Sequence, residues 1–189
     1  MRASLIFAIG LLLSGCTRVA FTLPVGTPAP ASDIDDVKGE WTGGKGAVYR
    51  VGQDPGSGQL TARVEEDGKE QIYPILLTTV GKDVVIVWVK DKELGAYLPF
   101  RIAPGDESVA LLCPDEDVVK ALVTEGKLIA TYDKEKKAWV ISKGESEALL
   151  LGKEFWSIDY CMPLFRSKEA KKTPAEATTS PAAPAARHP

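Results

Sequence analysis

Alternation of apolar and polar residues is the sequence feature that most constrains the fold of this chain. Residues 60–65 alternate in this way, which is the pattern of a half-buried β-strand. The Asp67-Gly68 step that follows is a hairpin signal. The continuous β-branched and apolar run from Val84 to Val89 predicts a central strand that is buried on both faces. The middle of the chain is therefore expected to form mostly β-structure.

Further strand patterns extend this prediction over most of the chain. Strands are predicted over 46–51, 59–65, 71–79, 83–90, 97–102, 108–112, 127–132 and 138–142. A helix is predicted over about 115–125, because acidic residues follow Pro114 and Gly126 ends the apolar periodicity. Residues 145–165 are interpreted as one or two further helices. The expected fold class is β-rich α+β, with a curled antiparallel sheet or small barrel closed by helices.

The tripeptide Gly39-Glu40-Trp41, placed just before the first predicted strand, resembles the Gly-x-Trp motif of lipocalins. The resemblance implies a small barrel with an interior cavity. A tryptophan that covers a core is the alternative interpretation of Trp41. The helix that follows the sixth predicted strand departs from the lipocalin pattern, in which the helix comes after all eight strands.

The N-terminus has the pattern of an export signal. Arg2 precedes an apolar stretch over 3–13. At about 1.5 Å per residue this stretch is too short for a hydrocarbon core of about 30 Å, which favours a signal peptide over a spanning helix. The residues Leu13-Ser14-Gly15-Cys16 resemble the lipobox of bacterial lipoproteins.

The lipobox resemblance implies that residues 1–15 are a signal peptide and that acyl chains on Cys16 anchor the mature protein in the bacterial cell envelope. Two or more acyl chains anchor a protein stably. Thr17, where lipoproteins retained at the inner membrane have Asp, favours the periplasmic face of the outer membrane. An ordinary secretory signal with a chance cysteine is the alternative.

Composition divides the rest of the chain into three parts. Residues 16–33 are rich in proline and small residues and are predicted to be a lipidated tether. Residues 34–166 are predicted to form a single globular domain. Residues 167–189 are rich in alanine and proline and are predicted to be a disordered tail. The tail carries more basic than acidic residues, so it either contacts an anionic polymer such as peptidoglycan or is simply solvated.

Charge and histidine content exclude several functional classes. The net charge is −3, so a nucleic-acid partner is not expected. The single histidine, His188, is the penultimate residue, which excludes a Ser-His-Asp triad, a Cys-His pair or a histidine-ligated metal inside the fold. The acidic residues 115–117 lack the alternating oxygen ligands of a calcium loop. No cofactor, metal site or catalytic residue is therefore predicted.

Two cysteines and a set of aromatic residues are the remaining candidates for a function. Cys113 and Cys161 form an even pair in an exported protein, which predicts a disulfide, with two unbonded thiols as the alternative. Aromatic residues line a pocket for a sugar or a lipid in one interpretation and fill the core in the other. They are Trp41, Trp88, Trp139, Trp156, Tyr97 and Tyr160.

Three functional hypotheses follow from the sequence. The first is a non-catalytic envelope lipoprotein that binds a partner protein or supports an assembly. The second is a lipid or small-ligand carrier, which requires an interior cavity of several hundred Å³. The third is an envelope enzyme that works without histidine, which requires a cleft with at least two perturbed titratable groups. The sequence predicts neither ligand-binding residues nor an oligomeric state.

Overall fold

The structure is a computed structural model that describes residues 18–66, 68–105, 107–143 and 146–167. Its strands are β1 (Arg18–Phe21), β2 (Thr27–Pro28), β3 (Gly39–Thr42), β4 (Val48–Gln53), β5 (Leu60–Glu66), β6 (Lys69–Val80), β7 (Val84–Asp91), β8 (Ala96–Pro104), β9 (Ser108–Pro114), β10 (Ile129–Asp133), β11 (Ala138–Lys143) and β12 (Trp156–Arg166). Its helices are α1 (Ala31–Val37), α2 (Glu116–Thr124) and α3 (Ser146–Leu151), with 3₁₀ turns at Gly44–Gly46 and Lys153–Phe155.

Eight of these strands form a closed antiparallel barrel. Strands β3 to β9 follow one another as a meander in which each strand pairs with the next. Strand β12 then lies between β9 and β3 and closes the barrel. Closure leaves these strands without a free edge. The β-rich small barrel predicted from the sequence is confirmed.

The predicted strands coincide with barrel strands wherever a tight turn sets the pairing. Strands β5 and β6 pair from Thr61–Pro74 to Glu66–Lys69, as the Asp-Gly signal predicts. Gly68 has a φ of 71°, a backbone conformation that residues with a Cβ rarely adopt. Strand β7 lies between β6 and β8, so the prediction of a central strand over Val84–Val89 is also confirmed.

The segment between β9 and β12 folds against the outside of the barrel. It contains α2, the β10–β11 hairpin and α3, and β11 pairs in parallel with β1. Together these elements enclose an apolar cluster, here called the outer core. Its buried members are Val19, Phe21, Val80, Ile86, Trp88, Val119, Leu128, Ile141, Leu150, Phe155 and Trp156.

Aromatic contacts and satisfied ring nitrogens indicate that the outer core is tightly packed. The ring of Phe21 meets Trp88 edge-on at 5.4 Å, and Phe155 meets Trp156 at 5.1 Å. Trp88 Nε1 donates to Thr78 Oγ1 at 2.8 Å, and Trp156 Nε1 donates to a main-chain carbonyl. These hydrogen bonds offset the free-energy cost of burying the two indole nitrogens.

Helix α1 lies at one end of the barrel, here called the closed end. Trp41 Nε1 donates to the carbonyl of Val37 at 3.0 Å, and the guanidinium of Arg166 stacks 4.7 Å from the Trp41 ring centre. Since neighbouring strands are antiparallel, the turns after β4, β6 and β8 lie at this same end. Helix α2 starts at the opposite end, where β9 finishes.

Two sequence predictions are wrong in extent. The tether predicted over 16–33 includes β1, in which Ala20 and Phe21 are buried, so the folded part begins at least as early as Arg18. The helices predicted over 145–165 are correct only for α3 and the 3₁₀ turn, because Trp156–Arg166 is the closing strand β12. The predicted helix over 115–125 is confirmed as α2. The signal peptide, Cys16 and residues 168–189 lie outside the described residues.

Candidate functional site

The barrel encloses a cavity of about 540 Å³. All eight barrel strands contribute inward-facing side chains to its wall. Among those that face the empty space are Val51, Ala62, Val87, Val109, Leu111 and Met162. These apolar side chains are only half-buried although they point into the barrel. The interior is therefore hollow, unlike the interiors of most protein domains, which pack at crystal-like density.

Strand alternation separates the cavity wall from the outer core. On β7, Val87 and Val89 face the cavity while Ile86 and Trp88 face the outer core. On β9, Leu111 faces the cavity while Leu112 packs against the outer core. This two-sided burial explains why the sequence of β7 is continuously apolar.

Few polar groups reach the deep part of the cavity. The hydroxyl of Tyr49 donates to Met162 Sδ at 3.3 Å, and the hydroxyl of Tyr73 donates to the side chain of Gln71. Ser157 also lines the cavity and is buried. Because the two tyrosine hydroxyls are engaged and most of the wall is apolar, the wall offers an occupant mainly dispersion contacts and burial of apolar surface.

The cavity opens at the end where β9 leads into α2, here called the mouth. Among the described lining residues, the exposed ones are Asp117, Asp159 and Cys161, all of which come from this end. Asp115 also lines the mouth, and its carboxylate caps α2 by accepting from the main-chain nitrogen of Asp117 at 2.9 Å. The interpretation of residues 115–117 as a helix start is thus confirmed, but their position at a cavity mouth was not foreseen.

Arg18 supplies a positive charge at the mouth that is already neutralised. Its guanidinium lies 2.7 Å from the carboxylate of Asp91 and donates to the carbonyl of Lys136 at 3.0 Å. Both side chains of the ion pair are mostly buried. The pair therefore holds β1 against the barrel and leaves the mouth with an excess of negative charge.

The aromatic residues divide between the two interpretations. Trp41 lines the cavity, whereas Trp88 and Trp156 are buried in the outer core, and Tyr97 and Trp139 pack against it. Tyr160 is not among the residues whose side chains the structure describes. The interpretation that these aromatic residues line a pocket is therefore wrong for most of them. The wall of the cavity is mostly aliphatic. The sequence feature that indicates these wall residues is the alternation of apolar and polar residues along the strands.

The two cysteines lie on the neighbouring strands β9 and β12, and both line the cavity near its mouth. Cys113 lies opposite Ser157 and is half-buried, whereas Cys161 lies opposite Leu112 and is exposed. Between Ser157 and Cys161 the register of β12 shifts by a bulge. The disulfide between Cys113 and Cys161 remains a prediction from the sequence.

Comparisons with protein-family models, with curated proteins and with solved structures found no match for this chain. In the part of the chain that the structure describes, no group of three or more His, Cys, Asp or Glu side chains is placed to hold a metal ion. None of the helices within the same residues has the length and hydropathy needed to cross a bilayer. The cavity and its mouth are thus the features from which a function can be argued.

Proposed function

We propose that this protein is a lipid-anchored protein of the bacterial cell envelope whose barrel binds a small apolar ligand. The observation that carries the ligand-binding part is the cavity of about 540 Å³ with its aliphatic wall. Small-molecule sites are typically concave, mostly apolar and about 300–1,000 Å³ in volume. The cavity has these properties and a mouth through which a ligand can enter.

The hollow interior favours a carrier over a purely structural module. A module that only supports an assembly gains nothing from a hollow interior, because unfilled space forfeits dispersion contacts along its lining. The side chains of Val109, Leu111 and Met162 are only half-buried around such a space. The outer core, by contrast, is filled. A bound apolar ligand would bury the exposed part of these side chains and recover the lost contacts.

The anchoring part of the proposal rests on Leu13-Ser14-Gly15-Cys16 and the apolar stretch before it. Arg18, at the mouth, lies two residues after Cys16. Two extended residues span at most about 7 Å, so acyl chains on Cys16 would hold the mouth close to the bilayer surface. Ile158 at the same end is 78% exposed, which adds an apolar side chain to this face. We propose that ligand passes between the membrane and the cavity at the periplasmic face of the outer membrane.

Titration with an uncharged apolar dye tests the ligand-binding part. The mature chain (residues 16–189) with Cys16→Ser is titrated with N-phenyl-1-naphthylamine, whose fluorescence rises in apolar surroundings. We expect saturable binding of one dye per chain. Ala62→Phe, which places a ring in the cavity, should weaken binding about tenfold or more, because it fills the space that the dye occupies.

Ala148→Phe is the matched control, because Ala148 is exposed on α3 and does not line the cavity. This variant should bind the dye as the unmodified chain does. Absence of saturable binding, or equal loss in both variants, would contradict the proposed ligand site.

Membrane fractionation and mass spectrometry test the anchor. The chain isolated from cells with detergent should begin at Cys16 and carry the mass of its acyl chains. Cys16→Ala should abolish membrane association, whereas Cys161→Ala should leave it unchanged. An unmodified Cys16, or a chain that is membrane-bound without Cys16, would refute the anchor but not the ligand site.

A further inference from the structure

The mouth of the cavity carries charge of one sign. The acidic residues that line it are Asp115, Glu116, Asp117 and Asp159. Arg18 is the only basic residue among the described lining residues, and its guanidinium is paired with Asp91 at 2.7 Å. None of the ion pairs among the described residues involves the four carboxylates of the mouth.

These charges act on whichever end of a ligand lies at the mouth. An amphiphile that places its apolar tail along the aliphatic wall must leave its polar headgroup among the four carboxylates. A carboxylate or phosphate headgroup would add a like charge there, and the low-dielectric wall strengthens the repulsion. An uncharged headgroup avoids that repulsion, and a cationic headgroup is attracted.

We infer that the ligand is an amphiphile with an uncharged or cationic headgroup, and that anionic amphiphiles such as free fatty acids are rejected. This inference rests on the proposed ligand-binding function. It adds a selection rule that the apolar wall alone does not supply, because aliphatic side chains bind the tails of all these amphiphiles alike.

Three probes that share a dodecyl tail test the rule. Dodecanol below its solubility limit, and dodecyltrimethylammonium and dodecanoate below their critical micelle concentrations, compete with bound N-phenyl-1-naphthylamine on the mature Cys16→Ser chain. At low ionic strength the alcohol and the cation should displace the dye at concentrations about tenfold or more below that of dodecanoate. In about 1 M salt, where the Debye length is about 3 Å, the difference between cation and carboxylate should shrink.

Neutral variants of the mouth give the decisive comparison. The variant Glu116→Gln, Asp117→Asn, Asp159→Asn removes three charges and keeps Asp115, whose carboxylate caps α2. It should bind dodecanoate several-fold more tightly. The matched control is Asp36→Asn, Asp83→Asn, Glu107→Gln, which removes three exposed charges at the closed end. The control variant should keep the original order of the three probes.

The outcomes separate this inference from the function on which it rests. Dye binding with equal displacement by all three probes, or an unchanged affinity of the mouth variant for dodecanoate, overturns the selection rule and leaves the ligand site standing. Absence of dye binding to the unmodified chain overturns both. Circular dichroism and an unfolding curve for each variant establish that a change in binding does not come from loss of the fold.

Discussion

Two leucines that lie on opposite sides of the barrel wall provide a quantitative test of the hollow interior. Leu150 on α3 is fully buried in the outer core, whereas Leu111 on β9 faces the cavity and is half-buried. We therefore compare Leu150→Ala with Leu111→Ala. Truncating Leu150 leaves a new void in a filled cluster. The free energy of unfolding should therefore fall by the transfer free energy of the removed atoms plus the cost of the void, about 3–5 kcal/mol together.

Leu111→Ala should cost less, because it enlarges a space that already exists. Its loss is limited to the transfer of a partly buried side chain, roughly 1–2 kcal/mol at about 0.8 kcal/mol per buried methylene. For a chain of this size 1 kcal/mol shifts Tm by about 2–4 °C. The expected decreases in Tm are therefore roughly 6–20 °C for Leu150→Ala and roughly 2–8 °C for Leu111→Ala.

Urea unfolding of the mature Cys16→Ser chain, followed by circular dichroism and fluorescence together, measures both free energies of unfolding. Equal m-values in the two variants are needed to compare them. Equal destabilisation by the two truncations would refute the reasoning, because it would mean that the barrel interior is packed as tightly as the outer core.

Three further results are expected. Thr78→Val should destabilise the protein by about 1–3 kcal/mol in the same urea assay, because the buried Trp88 Nε1 then lacks its acceptor and the carbonyl of Val25 loses its donor. In a chain that carries Trp88→Phe, the same Thr78→Val change should cost less, and an equal cost in both backgrounds would contradict the role of Trp88. Hydrogen bonds from the Ser57 main chain and hydroxyl hold the pKa of Asp54 below its usual value, so Ser57→Ala should raise that pKa in an NMR titration, and no change would contradict the assignment. Brominated lipids should quench a fluorophore on Cys161 of the lipidated protein more than one on Ser57→Cys, which lies at the closed end, and the reverse order would place the mouth away from the membrane.

The fold was predictable wherever local chemistry sets the pairing. Strands β5 to β9 follow from alternation, and each is joined to the next by a short turn. The closing strand β12 was missed, because the bulge after Ser157 breaks the period of two and the segment 145–155 begins as a real helix. Strand β1 was missed for a different reason: its parallel partner β11 lies about 120 residues away, and local composition does not report such a distant pairing.

The site was less predictable than the fold. Alternation tells which residues face inward, but not whether the space between them is filled. Whether the space is filled depends on the size of side chains such as Ala62, Val87 and Val109 and on the diameter of the closed barrel that they line. The acidic residues 115–117 were explained by the helix that they start, which is correct for Asp115. Their position at the mouth of the cavity depends on the tertiary fold, in which β12 contributes Asp159 to the same lining.

The position of a bound amphiphile tests the central claim most directly. Intermolecular NOEs between dodecanol and the methyl-labelled mature Cys16→Ser chain report which methyl groups the tail contacts. The hollow-barrel account predicts contacts to Val87, Val109 and Leu111, which line the cavity, and none to Leu151, which is exposed on α3. Contacts confined to exposed methyl groups, with none inside the barrel, would contradict it.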